Sequence, residues 1–245
     1  MGPTNPAVPL SVLLARPDLR RGGALAQVAS PSVPTGFAAL DAELPGGGWP
    51  TGCLTELLPA HEGIGELRVL GPALAALSYA GRRLAWIAPP HLPYAPALDA
   101  AGIALEQLLI IRTAAARDAL WAAEQALASA ACGAVLVWPD AVKYAELRRL
   151  QLAADKGSTL AVLFRAPRVA DEASPAVLRL ALATAAGALA VRILKRRGAV
   201  CERPVIVDLG PPCGNVSQPL VLHAVDRGIP APAPARSAHP QPCDA

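Results

Sequence analysis

Five short apolar runs punctuate the chain: CLTELL (53–58), RRLAWIA (82–88), QLLIIR (107–112), GAVLVW (133–138) and STLAVLF (158–164). Each has the length of a strand buried on both faces, because a near-continuous apolar run leaves no polar face for solvent. Between them lie stretches of helical spacing over 66–80, 94–101, 114–131 and 140–156. The last is the clearest: Leu147, Leu150 and Ala154 fall at i, i+3 and i+7, with Arg148, Arg149 and Asp155 off that stripe. Strands that alternate with helices need crossover connections. The pattern therefore predicts an α/β domain with a mainly parallel sheet and helices on both faces. After residue 173 the order changes. PAVLRLALATAA reads as a helix, and ALAVRILKRR and PVIVDL read as two strands of an antiparallel C-terminal extension.

Composition sets the boundaries. Residues 1–30 mix prolines with a short apolar run that Pro17 and Gly22-Gly23 interrupt, which suits an N-terminal arm. From 211 to 245 the chain carries APAPARSAHPQP, which has nothing to pack a core with and reads as a disordered tail. The domain is thus expected over 31–210. Hydrophobic residues make up 53% of the chain and charged ones 17%, enough for a sizeable core. A formal charge of +3 permits an acidic partner without arguing for one. The five cysteines contain no CxxC pair, which is against a zinc site and a disulfide scaffold and suits a reducing cytosol. Cys213 with His223 or Cys243 lacks the spacing of a metal site, so no metal and no cofactor is expected. No signal pattern and no uninterrupted apolar run of membrane-spanning length is present, so the chain is expected in the cytoplasm, associated with the nucleoid.

In open α/β sheets ligands bind at the carboxyl ends of strands, so those ends are where chemistry belongs. After CLTELL the chain runs LLPAHEGIGELRVL, with the position of a phosphate-binding loop. Gly63 and Gly65 supply a loop that turns its amides inward. The lysine place holds Ile64 or Glu66, however, and the hydroxyl place Gly65 or Leu67. Glu66 complements a helix dipole there and repels a triphosphate. The other strand ends carry Pro89-Pro90-His91, Trp138-Pro139 with Asp140 two residues on, and Arg165-Ala166-Pro167-Arg168. All lack the polar group a nucleotide-hydrolysing site needs, and no catalytic residue is assigned. His61 and His91 have no nucleophile or paired carboxylate beside them and read as incidental.

VPTGFAALDAELPGGGWPTGCLTELL (33–58) resembles the lead into the nucleotide site of RecA recombinases. TGFAALDAELPGGGWP, SPAVLRL (174–180) and VRILKRRG (191–198) resemble the ImuA family, RecA-like accessory proteins of bacterial mutagenesis. The resemblance spans about residues 20–210, with PGGGWP its most specific part. It implies a RecA-like core without working ATPase motifs. It also implies a non-catalytic adaptor of SOS-induced translesion synthesis, acting with ImuB and an error-prone DnaE-type polymerase and binding RecA, with DNA touched indirectly or weakly. Some relatives carry the label of cell-division inhibitor. An inhibitor acting on a tubulin-like protein is the alternative, and an atypical ATPase using Glu62 or Glu66 with Lys143 is another. Oligomeric state is left open.

Candidate contact residues follow. Trp49 in PGGGWP is either an exposed anchor for a partner or a core residue behind a tight turn. Arg148, Arg149, Arg165 and Arg168 have the charge and reach to touch phosphate. By the resemblance to RecA, Lys195, Arg196 and Arg197 lie where a neighbouring subunit would be met. A solvated hairpin tip explains them as well.

Overall fold

The computed structural model describes residues 31–198 and 203–210. The expected arm and tail, and the cysteines beyond 198, lie outside the described residues. The chain opens with a two-stranded antiparallel ribbon, β1 (Ser32–Val33) against β2 (Trp49–Pro50), enclosing a short helix α1 (Ala38–Asp41). Then come β3 (Cys53–Pro59), α2 (Gly71–Tyr79), β4 (Arg83–Ile87), α3 (Ala95–Ala100) and β5 (Leu108–Ile111). They are followed by α4 (Ala116–Ala128), β6 (Cys132–Val137), α5 (Tyr144–Ala154) and β7 (Leu160–Phe164). The chain closes on β8 (Leu178–Ala185), β9 (Ala188–Lys195) and β10 (Val205–Val207).

The last eight strands form one sheet in the order β10-β9-β8-β3-β7-β6-β4-β5. Pairing is parallel from β8 across to β5 and antiparallel through β9 and β10. Alternation along the strands builds two cores. Leu57, Trp86, Leu136, Val162 and Leu180 face one layer with α1 and α2, and Leu54, Ile87, Val135 and Leu163 face the other with α4 and α5. Each such leucine or valine, taken wholly out of water, contributes about 1.5–3 kcal/mol. The predicted mixed α/β architecture, the five strands read from the apolar runs and the antiparallel end are all present. β5, expected to be buried on both faces, is instead the sheet's edge and only partly buried.

Two expectations are corrected. PAVLRLALATAA is not a helix: it forms β8, inserted between β3 and β9. Alanine and leucine favour helices intrinsically, but Leu178, Leu180 and Leu182 alternate onto one core, and period two is the pattern of a strand with one face on the core. The strand returns through Ala186-Gly187, both at positive φ (+45° and +84°), the conformation of a tight two-residue hairpin. The second correction concerns the helix expected from 66. It begins only at Gly71, because 63–70 is a series of turns closed by Val69 N–H to the Gly65 carbonyl and Leu70 N–H to the Leu67 carbonyl.

One polar cluster sits in the core. Glu56 on β3 is fully buried. It accepts from Arg179 Nε at 2.7 Å and Ser174 Oγ at 2.7 Å, and Arg165 lies at 3.5 Å. Arg179 also donates to the carbonyls of Val169, Ala170 and Glu172, and Arg165 pairs with Glu172 at 3.1 Å. The cluster staples the 165–177 connection onto the sheet. Charges this deep persist only when each is met by opposite charge and hydrogen bonds.

Candidate functional site

The carboxyl ends of β3, β4, β6 and β7 border a cleft of about 610 Å³. One wall is the turn after β3, from Pro59 to Leu67. A second is Ala88–Tyr94, and a third is Trp138–Asp140 with Phe164–Arg168. Its floor is aromatic: Trp138 stacks on Phe164 with ring centroids 4.4 Å apart and planes 4° off parallel, and Trp86 lies tilted at 5.8 Å from Trp138. Among the described residues, the buried Nε1 of Trp86 has no hydrogen-bond partner. Six prolines (59, 89, 90, 93, 139 and 167) line the walls, fixing φ at those positions and withholding their own N–H donors, so the backbone of the cleft is stiff. Ala88, just before two of them, sits at φ +52°, a strained backbone of the kind that collects at functional sites. Beside it Leu92 and Tyr94 are 77% and 50% exposed.

The glycine turn after β3 holds a carboxylate. Gly63 N–H donates to Glu66 Oε1 at 2.8 Å and Gly65 N–H to Glu66 Oε2 at 3.1 Å. Ile64 packs on the core. Gly65 sits at φ +113°, a backbone conformation that L side chains rarely adopt, and a Cβ there would meet the tip of the Leu209 side chain, Cδ1 at 2.4 Å. Glu62, on the rim, pairs with His91 Nε2 at 2.8 Å in an exposed contact. His91 thus has a carboxylate partner that spacing did not reveal, since the two come together only across the cleft. Lys143 is not among the lining residues; its N–H is held by Glu146 at the start of α5.

The other candidates do not converge. Trp49 is completely buried. The turn before it brings Gly48 so near Val33 that a Cβ would lie 2.3 Å from the Val33 carbonyl oxygen, so PGGGWP is a packing turn and not an exposed knob. Arg165 is buried between Glu56 and Glu172, whereas Arg168 is exposed at the cleft's edge. Arg148 and Arg149 are exposed on α5, where Arg149 is bound to Glu124 of α4. Lys195, Arg196 and Arg197 lie at the opposite end of the sheet. There Lys195 donates to the Ser174 carbonyl at 2.7 Å and Arg196 binds Glu43. Near them, Cys53 is buried at the foot of β3, and loss of solvent pushes its thiol up to about 11. Among the described residues no three His, Cys, Asp or Glu side chains gather as a metal site would need. Likewise no helix of the described residues is long and apolar enough to cross a membrane.

Comparison with known proteins bears on the segment that runs from β3 to β7. The family described as cell division inhibitor SulA matches residues 52–161, from the foot of β3 to the start of β7. A curated relative from Edwardsiella piscicida, described as "Cell division inhibitor SulA", is 34% identical over 97 residues, covering 40% of this chain and 58% of the relative. The chain thus spans less than two thirds of that relative's length. These matches overturn the expectation of an ImuA-type protein, and with it the translesion-synthesis role and the partners ImuB and RecA. The physical reason lies in what the resembling motifs do. Leu40, Leu44 and Trp49 of the first, Leu178 and Leu180 of SPAVLRL, and Val191 and Ile193 of VRILKRRG are buried. Residues selected for packing report a framework, which proteins with different partners share.

Proposed function

We infer that this chain is a non-catalytic inhibitor of cell division in the SOS response, acting by binding a tubulin-like division protein of the FtsZ type. What carries the inference is the similarity to division inhibitors over 52–161, the segment that contains two of the three walls of the cleft. Binding in place of catalysis is supported by the loop after β3, whose two inward amides are already engaged by Glu66. A RecA-like frame belongs to the same reading. Its support is the parallel sheet with a glycine turn after β3 and helices on both faces. In this reading the stiff walls of the cleft and the exposed Leu92 and Tyr94 offer the contact surface, since a rigid apolar site loses little entropy when a partner settles on it.

Two measurements test this together. Overexpression should give filamentous cells with unchanged mutation frequency, and the purified chain should lower the amount of sedimentable polymer of the host's tubulin-like protein. Cells of normal length, with polymer unaffected at a severalfold molar excess of the chain, would sink the inference.

A further inference from the structure

We propose that the turn Gly63–Glu66 is an oxyanion-binding nest that carries its own ligand, the Glu66 carboxylate standing where a phosphate would bind. The amides of Gly63 and Gly65 converge on the two oxygens of one carboxylate, at 2.8 and 3.1 Å. Both glycines are in the left-handed region, at φ +79° and +113°, which turns their N–H groups to the same side and makes a concavity suited to an anion. The nest is also braced from outside. Leu209 packs against Gly65, and Arg68 donates to the carbonyls of Leu209 and Gly210, both at 2.7 Å.

A plain helix cap does not account for the arrangement. The helix begins at Gly71, with Leu70 as its N-cap and no side-chain cap bond, so Glu66 caps nothing there. Glu66 is partly exposed and lines the cleft, so removing its carboxylate opens the two amides toward solvent and not into a core. The chemistry that fits the vacated place is that of a small tetrahedral oxyanion, either free phosphate or the phosphoryl group of a nucleotide. In the intact chain Glu66 excludes both, by occupying the donors and by like charge.

The test is thermal unfolding of the full chain, wild type beside Glu66→Ala and Glu66→Gln. Each is titrated with inorganic phosphate, with ATP free of magnesium, and with sodium chloride at matched ionic strength. Glu66→Ala should melt about 4 °C below wild type, because two charge-assisted bonds are lost. Phosphate should restore it saturably, by about 3 °C at roughly ten times a millimolar Kd. Phosphate stabilises folded proteins in general through exclusion from their surface, so the readout is the difference between variant and wild type. Glu66→Gln, which still fills the nest, should be rescued less. Restoration by phosphate alone assigns the nest to small oxyanions, and equal restoration by ATP extends it to nucleotide phosphoryl groups. Equal shifts in wild type and Glu66→Ala, or none in either, would overturn the proposal. Should Glu66→Ala fold only in phosphate, that is the expected rescue in stronger form. Failure in every buffer, with the Gly63 and Gly65 amide resonances of Glu66→Gln unmoved by phosphate, would overturn it too.

Discussion

Arg179→Met is the most informative single perturbation of the fold. The change keeps a long flexible side chain in β8 and removes only the guanidinium. Glu56, fully buried, then loses its 2.7 Å partner and keeps Ser174 and the more distant Arg165. Three carbonyls, of Val169, Ala170 and Glu172, lose their donor at the same time. Removing one member of a buried pair costs about 3–5 kcal/mol, because the remaining charge stays desolvated without compensation. For a domain of this size that corresponds to a fall in Tm of about 6–20 °C. Urea unfolding followed by tryptophan emission measures it as a lower midpoint at unchanged slope. The decisive comparison is the double variant Glu56→Leu/Arg179→Met. It removes both charges and leaves Arg165 with Glu172, so its cost should be below the sum of the single costs by about 1–3 kcal/mol. Strict additivity, or a single-variant loss under about 1 kcal/mol, would refute the view that this cluster is a coupled staple.

Other expectations are more local. Ala186→Asn should raise stability by about 1 kcal/mol, because the β8–β9 hairpin holds Ala186 at φ +45° where Asn is tolerated, and chemical denaturation reads the gain. Leu92→Asp with Tyr94→Asp should weaken inhibition of polymer assembly about tenfold or more while leaving Tm within a degree or two, since both side chains are exposed. Cys53 should resist thiol reagents in the folded chain at pH 8 and react on unfolding, because burial holds its pKa near 11. The sign of its pH dependence follows. With the folded pKa raised, its contribution is fully present below the unfolded value near 9. Above that, stability falls by up to about 1.4 kcal/mol per pH unit until the folded pKa is reached, as unfolding at stepped alkaline pH would show.

Local pattern was enough for the strands β3 to β7 and the helices between them, because amphipathic period and run length are properties of neighbours along the chain. It also placed the glycine turn and reported that the turn lacked lysine and hydroxyl. It failed at β8, where an alanine- and leucine-rich segment is made a strand by β3 and β9 on either side. The alternation LRLAL and the following Ala-Gly turn were the available signs. Only the tertiary structure could bring Glu62 to His91, bury Arg165 against Glu56, put Trp49 inside and seat Glu66 on the amides of Gly63 and Gly65. These pairings join residues from different strand ends, or depend on a turn whose φ angles no composition specifies. Thus the residues at the four strand ends were legible as lacking the lysine and hydroxyl of a nucleotide-hydrolysing loop. What stands at those ends, a proline-walled aromatic cleft with a carboxylate held by the amides of Gly63 and Gly65, was decided where the chain folds back on itself.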